Sequence, residues 1–223
     1  VQITGFGTGE AAGANAQPGA LDGVVDDIAA YIRDHHAGRP AIIGHSMGGL
    51  TALLIAERHP EQAGKVMIVD SLPFIGTLMA PGATVETIRP MAAAMRDRAR
   101  AAPRHADATP PADDPGGIWS ITAEGRRRVA GWSGAADPAA TAEMLYEVMQ
   151  TDATPGLAAV TASVTLLYPT SEAVPSAAAQ QLYAGAYRGL RTLHMVEVPG
   201  SYHFIMLDQP QRFADAVAAF LAD

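Results

Sequence analysis

The hexapeptide Gly44-His45-Ser46-Met47-Gly48-Gly49 constrains this chain more than any other feature. Pro40-Ala41-Ile42-Ile43, a short apolar strand, precedes it. Leu50-Thr51-Ala52-Leu53-Leu54-Ile55-Ala56-Glu57-Arg58, a good helix former ended by His59-Pro60, follows. A chain that passes from strand to helix in so few residues turns too tightly for side chains two before and two after the serine. Gly44 and Gly48 meet that need, and Gly49 lets the helix approach its neighbours. Ser46 is then expected on a strained elbow at a helix N-terminus, where backbone N–H groups can stabilise a developing oxyanion. In that setting a G-x-S-x-G frame points to a nucleophilic serine.

Around this turn the chain is long enough, at 223 residues, for one domain with an insertion and a sizeable core. A hydrophobic fraction of 48% against 17% charged residues fits a compact protein. The net charge of −8 argues against a nucleic-acid or anionic-membrane surface. Arg126-Arg127-Arg128 is one helical turn and reads as a solvated face. The absence of cysteine excludes disulfides and thiolate metal sites. No apolar stretch approaches the roughly 20 residues that span a bilayer, so no stable membrane insertion is expected. The first residue is not Met and lies within an apparent strand, so an upstream segment, a signal peptide included, is compatible with the sequence and localisation is left open.

Strands and helices alternate along the rest. Val1-Gln2-Ile3-Thr4 reads as a strand, then the turn Gly5-Phe6-Gly7-Thr8-Gly9. Leu21, Val24, Val25, Ile28 and Ile32 recur at helical spacing and predict a helix to about His36. Val66-Met67-Ile68-Val69 is the continuous apolar run of a strand buried on both faces. No hairpin signal intervenes, so the expected fold class is α/β, a mostly parallel sheet with helices on both faces. From Leu72 to about Leu157 no strand is evident. That stretch holds Met79, Met91 and Met95, a Pro/Asp/Ala linker from Pro103 to Gly117, and a helix opened by Asp137-Pro138. Its reading is a helical cap at 72–156, inserted into a core made of 1–71 and 157–223. The sheet resumes at Val164–Tyr168; a helix (about Ala177 to Tyr187), a strand (Leu193 to Val198) and a final helix burying Phe213, Val217, Phe220 and Leu221 follow.

These residues resemble an α/β-hydrolase of the esterase/lipase type. The Gly44–Gly49 segment looks like that family's nucleophile elbow, and Gly5-Phe6-Gly7-Thr8 like the turn after its fourth strand. Pro199-Gly200-Ser201-Tyr202-His203-Phe204, with Asp208-Gln209-Pro210 and a final helix, is similar to its histidine loop and C-terminal helix. The resemblance covers most of the chain outside the cap. It also implies three strands before the Gly5 turn, and a His-Gly loop supplying half the oxyanion hole, that the sequence does not contain. The chain is therefore expected to be a piece of a longer protein; an incomplete sheet and oxyanion hole is the alternative.

A serine hydroxyl needs a base within hydrogen-bond reach. His203 is the candidate, because its loop follows a strand late in the chain and loops at the carboxyl ends of parallel strands converge. His35, His36, His59, His105 and His194 lack such a setting, and His45 is expected to point away from the reacting side as a structural residue. The base needs a carboxylate to orient it. Glu172 is favoured, four residues past the strand ending at Tyr168, where the family carries its acid in Tyr-Gly-x-x-Asp-x-x-x-Pro. Asp70, at the end of an earlier strand, is the alternative. The resemblance implies that Met47 N–H binds the oxyanion.

Met79, Met91, Met95, Met144, Met149, Trp119, Trp132 and Phe74 are candidates for an acyl pocket under the cap, with ordinary helix packing the alternative. No P-loop, H-E-x-x-H or third-glycine dinucleotide spacing occurs, so no cofactor or metal is expected. The expectation is a serine hydrolase acting on small apolar esters. Another bond (amide, lactone, carbon–carbon, perhydrolysis) or a binding protein on the same fold is the alternative.

Overall fold

The structure, a computed structural model, describes residues 2–6, 12–35, 38–80, 82–101 and 119–222. Among these residues the sheet has four strands: β1 (Ala41–His45), β2 (Lys65–Val69), β3 (Ser163–Thr170) and β4 (Leu193–Pro199). They lie in the order β1-β2-β3-β4 and every pair is parallel. Around them run α1 (Ala20–Asp34), α2 (Met47–Arg58), α3 (Val85–Arg100), α4 (Ala123–Ala135), α5 (Pro138–Gln150), α6 (Ser176–Ala186), the short α7 (Ile205–Asp208) and α8 (Pro210–Ala222).

Alternation along a strand sends successive side chains to opposite faces, and β2 divides its apolar run in that way. Val66 and Ile68 join a core with Leu21 and Val24 of α1, Leu53 of α2 and Tyr183 of α6. Met67 and Val69 join a second core with Ile205 of α7 and Phe220 of α8. All four side chains are 0% exposed, which accounts for a run with no polar member. Helices thus cover both faces, as the pattern predicts.

Two expectations fail here. Gln2 to Thr4 is not a strand: Phe6 N–H donates to Ile3 O at 3.2 Å in a turn, while Ile3 and Phe6 pack on the core. Apolar residues at the chain's start find burial without a ladder, which the propensity of four residues cannot distinguish. Val1 and Gly7 to Gly9 lie outside the described residues, as does the whole of the expected 103–117 linker. Leu221 is 55% exposed rather than buried, because α8 turns Phe220 and, in part, Phe213 and Val217 to the sheet.

Between β2 and β3 the described residues are helical or irregular. α5 begins as the sequence predicts: Asp137 Oδ1 accepts from Ala139 N at 2.8 Å and Ala140 N at 3.3 Å, with Pro138 as the first helical residue. This helix reaches deep into the sheet domain. Met144 belongs to the same core cluster as Leu21 and Leu50. Glu147 accepts from the N–H groups of Gly19, Ala20 (3.1 Å) and Leu21 (2.6 Å), supplying the cap that Gly19 cannot give α1. Among the described residues no helix is long and apolar enough to cross a membrane.

Candidate active site

Ser46 stands between the last residue of β1 and the first of α2, at φ 55° and ψ −120°. A non-glycine residue is rarely found there, and the surroundings hold it in place. Its N–H donates to Val69 O at 3.0 Å, and its carbonyl accepts from Gly49 N (2.8 Å) and Leu50 N (3.1 Å). The steric demand falls on Gly44 and Gly49. A Cβ on Gly44 would lie 2.0 Å from Gly48 O, and one on Gly49 would lie 2.8 Å from Ser71 Cβ. A Cβ on Gly48 would meet nothing within 4 Å, so that glycine serves by its backbone alone, contrary to the sequence expectation. Met47 is the first residue of α2, where a helix leaves N–H groups without intrahelical acceptors.

The register of the sheet pairs His45 with Val69, so the residue after Val69 arrives beside the serine turn. That residue is Asp70, at φ 44°, with its N–H on Leu167 O at 2.8 Å. His203 Nδ1 lies 2.7 Å from Asp70 Oδ2, and the two side chains are 21% and 13% exposed. A carboxylate facing Nδ1 fixes the proton on that nitrogen and leaves Nε2 as the basic one. Tyr183 of α6 donates its hydroxyl proton to Asp70 Oδ1. Burial first, then the Asp70 charge, pushes the Tyr183 phenol well above its ordinary range, so it remains a donor.

Glu172 is exposed on the turn after β3 and makes no hydrogen bond or ion pair with His203. The carboxylate favoured from the sequence is therefore not the one that the fold brings to the histidine; the alternative, Asp70, is. The reason lies in the length of β3. It runs to Thr170, and the Ser171–Val174 turn is closed by its own backbone bonds of 3.0 and 3.2 Å.

Five contacts pin the histidine loop. Gly200 N and Ser201 N donate to Thr170 O at 2.8 and 3.2 Å. Tyr202 N donates to Asp208 Oδ2 at 2.9 Å, and Phe204 N to Trp119 O at 2.8 Å. The fifth comes from His45, whose Nε2 donates to His203 O at 2.8 Å, with ring centroids 4.6 Å apart. Burial, then the nearby His203, lowers the His45 pKa to about 4, so the ring is neutral near pH 7. His45 thus faces the histidine loop, a correction to its expected orientation. Of the remaining histidines, His35 ends α1, His59 ends α2 and His194 lies in β4, as expected; His36 and His105 lie outside the described residues.

The candidate pocket residues divide. Met144, Met149 and Phe74 are 2%, 1% and 3% exposed and fill helix cores. Met79, Met91, Met95, Trp119 and Trp132 are about two-fifths to one-half exposed. Trp119 alone of the eight reaches the histidine, edge-on with centroids 5.5 Å apart. Tyr183 has no sequence signal as a site residue, and Asp208 has only its place in the segment that resembles the histidine loop: they lie 113 positions from Asp70 and 88 from Ser120, and the fold unites them.

The sequence matches the Alpha/beta hydrolase family over residues 1–216. It is 38% identical over 48 residues to an abhydrolase domain-containing protein of Schizosaccharomyces pombe, a match covering 22% of this chain and 18% of that protein. The curated relatives that it matches are covered over no more than 25% of their length. The fold is similar to the enol-lactonase from Burkholderia xenovorans (TM-score 0.71, 20% identity, 99% of this chain and 79% of that one). It is equally similar to a thermophilic esterase from Thermogutta terrifontis (TM-score 0.71, 17% identity, 99% and 78%). The chain belongs to the alpha/beta hydrolase family.

Proposed function

We propose that this alpha/beta hydrolase is a serine hydrolase that cleaves small apolar carboxylic esters through an acyl-enzyme. The observation that carries the reading is the 2.7 Å bond from His203 to Asp70, made beside a serine held in left-handed backbone at a helix N-terminus. Ser46 Oγ attacks the ester carbonyl and His203 Nε2 accepts its proton. Asp70 stabilises the resulting imidazolium, with Tyr183 holding the second carboxylate oxygen. Met47 N–H receives the oxyanion, aided by the α2 dipole. The tetrahedral intermediate collapses, His203 gives its proton to the departing alcohol, and water then attacks the acyl group with His203 again as base.

Residues 72–156 act in this reading as a cap rooted in the core by α5, with the exposed Trp119 and Trp132 on its substrate side. A lactone is an internal ester opened by the same steps. The likeness of fold to an enol-lactonase places lactones in the substrate screen. The test is turnover of a short-chain ester panel by Asp70→Asn and Glu172→Gln. The reading expects the first to collapse the rate and the second to leave it near that of the unaltered chain; the reverse pattern would overturn the acid assignment.

A further inference from the structure

Resting on that reading, one group near the histidine has no part in the triad and yet holds more bonds than any triad member. Asp208, half-buried at the end of α7, accepts through both oxygens. Oδ2 receives Tyr202 N–H at 2.9 Å, the residue before His203. Oδ1 receives the Ser120 hydroxyl at 2.5 Å and Ile121 N–H at 3.0 Å, immediately before α4. Ser120 is 0% exposed, so its hydroxyl is committed to this cluster. The segment so tied presents Trp119, whose carbonyl accepts from Phe204 N and whose ring stands edge-on to His203.

We infer that Asp208 is a positioning residue that fastens the start of α4 to the His203 loop, and that it thereby holds Trp119 as a specificity-determining wall beside the reacting imidazole. The chemistry requires a carboxylate. Its two oxygens accept from a hydroxyl and two N–H groups on two separate segments, whereas an amide would turn its NH2 toward one of those donors. The wall itself is an indole that is 42% exposed and lies next to the base. A flat apolar group on the ester stacks there at little entropic cost, since an indole has two side-chain torsions to fix. The substrate class is accordingly aryl and benzyl esters in preference to short alkyl esters of the same acid.

Two readouts separate this inference from the serine-hydrolase reading. The sequence has two tryptophans, so in a Trp132→Phe background all indole emission comes from Trp119. A protonated imidazole in contact with an indole quenches it, so the emission should titrate with His203, and His203→Gln should abolish that titration. Among the described residues the other ionisable groups facing His203 are Asp70 and His45, and His45 protonates only near pH 4. Asp208→Asn should reduce the amplitude at least about twofold with unchanged far-UV dichroism. Ser120→Ala, which removes the hydroxyl but leaves the Ile121 and Tyr202 N–H groups on Asp208, should reduce it less, and decides the matter by the same reading if Asp208→Asn does not fold. An unaltered amplitude in the folded variants would overturn the clamp.

For the wall, the ratio of kcat/KM for phenyl acetate over ethyl acetate should fall about 2- to 10-fold in Trp119→Ala, carried by KM. An equal loss for both esters would overturn its role in specificity. If the unaltered chain cleaves no ester, the hydrolase reading fails, and the emission titration still decides the clamp.

Discussion

α4 and α5 are consecutive helices of 13 residues each between β2 and β3, and they do opposite work. α5 buries Ala140, Ala142, Glu143, Met144 and Met149, caps α1 through Glu147 and receives Arg100 on the buried Glu143 at 2.9 Å. α4 buries only Gly125 and Val129, leaves Trp132 53% exposed, and is anchored through the residues just before it to the histidine loop. One helix is scaffold, continuous with the sheet's core. The other is tied to the histidine loop, where in the proposed reaction its fewer buried contacts leave room for side chains that meet a substrate. Position in the sequence does not separate them; what each buries does.

The comparison is sharpened by variants that move activity and stability apart. The largest effect is expected from Ser46→Ala, which should lower ester turnover by ~10⁴-fold or more while the thermal midpoint stays within about 2 °C. Retained turnover would remove the site from Ser46. Asp70→Asn should cost about 10³- to 10⁴-fold in kcat, since the ring would lose the partner that fixes its tautomer.

On the scaffold side, Met144→Ala should destabilise by about 2–5 kcal/mol in urea unfolding. The surviving folded protein should keep its kcat/KM within about threefold. Trp132→Ala should shift stability by less than ~1 kcal/mol. If Met144→Ala instead left stability intact, α5 would not be part of the sheet's core.

A pH experiment joins the two regions. Near pH 7 His45 is neutral in the folded chain, with its pKa lowered to about 4 from the ordinary histidine value of 6.5. The unfolded chain therefore binds more protons between these values. Stability from this residue is full above about pH 6.5 and is lost as pH falls toward 4, by about 3 kcal/mol in all. Urea midpoints at pH 7 and pH 4.5 should differ less in His45→Gln than in the unaltered chain. An equal difference would mean that the ring is not kept neutral by its burial.

What the sequence disclosed follows the range of the forces involved. The serine turn was legible because Gly44, Ser46 and Gly49 settle a local backbone problem, and the α5 start because Asp137 and Pro138 are a local cap. The parallel sheet with helices on both faces followed from alternation and from the apolar run Val66 to Val69 in β2. The position of His203, on the loop after the last strand, was legible from chain order. The carboxylate was not. Loop spacing favoured Glu172, whereas the register of β1 on β2 brings Asp70 to a histidine 133 residues away. The methionines were opaque for a similar reason, since Met144 and Met91 are alike in type and differ only in what packs against them.

The central claim is tested most directly by the intact mass of the folded chain after incubation with a fluorophosphonate, followed by peptide mapping. The account predicts one adduct, on Ser46, formed far more slowly in His203→Gln and Asp70→Asn. No adduct on folded protein, or an adduct elsewhere, would contradict it.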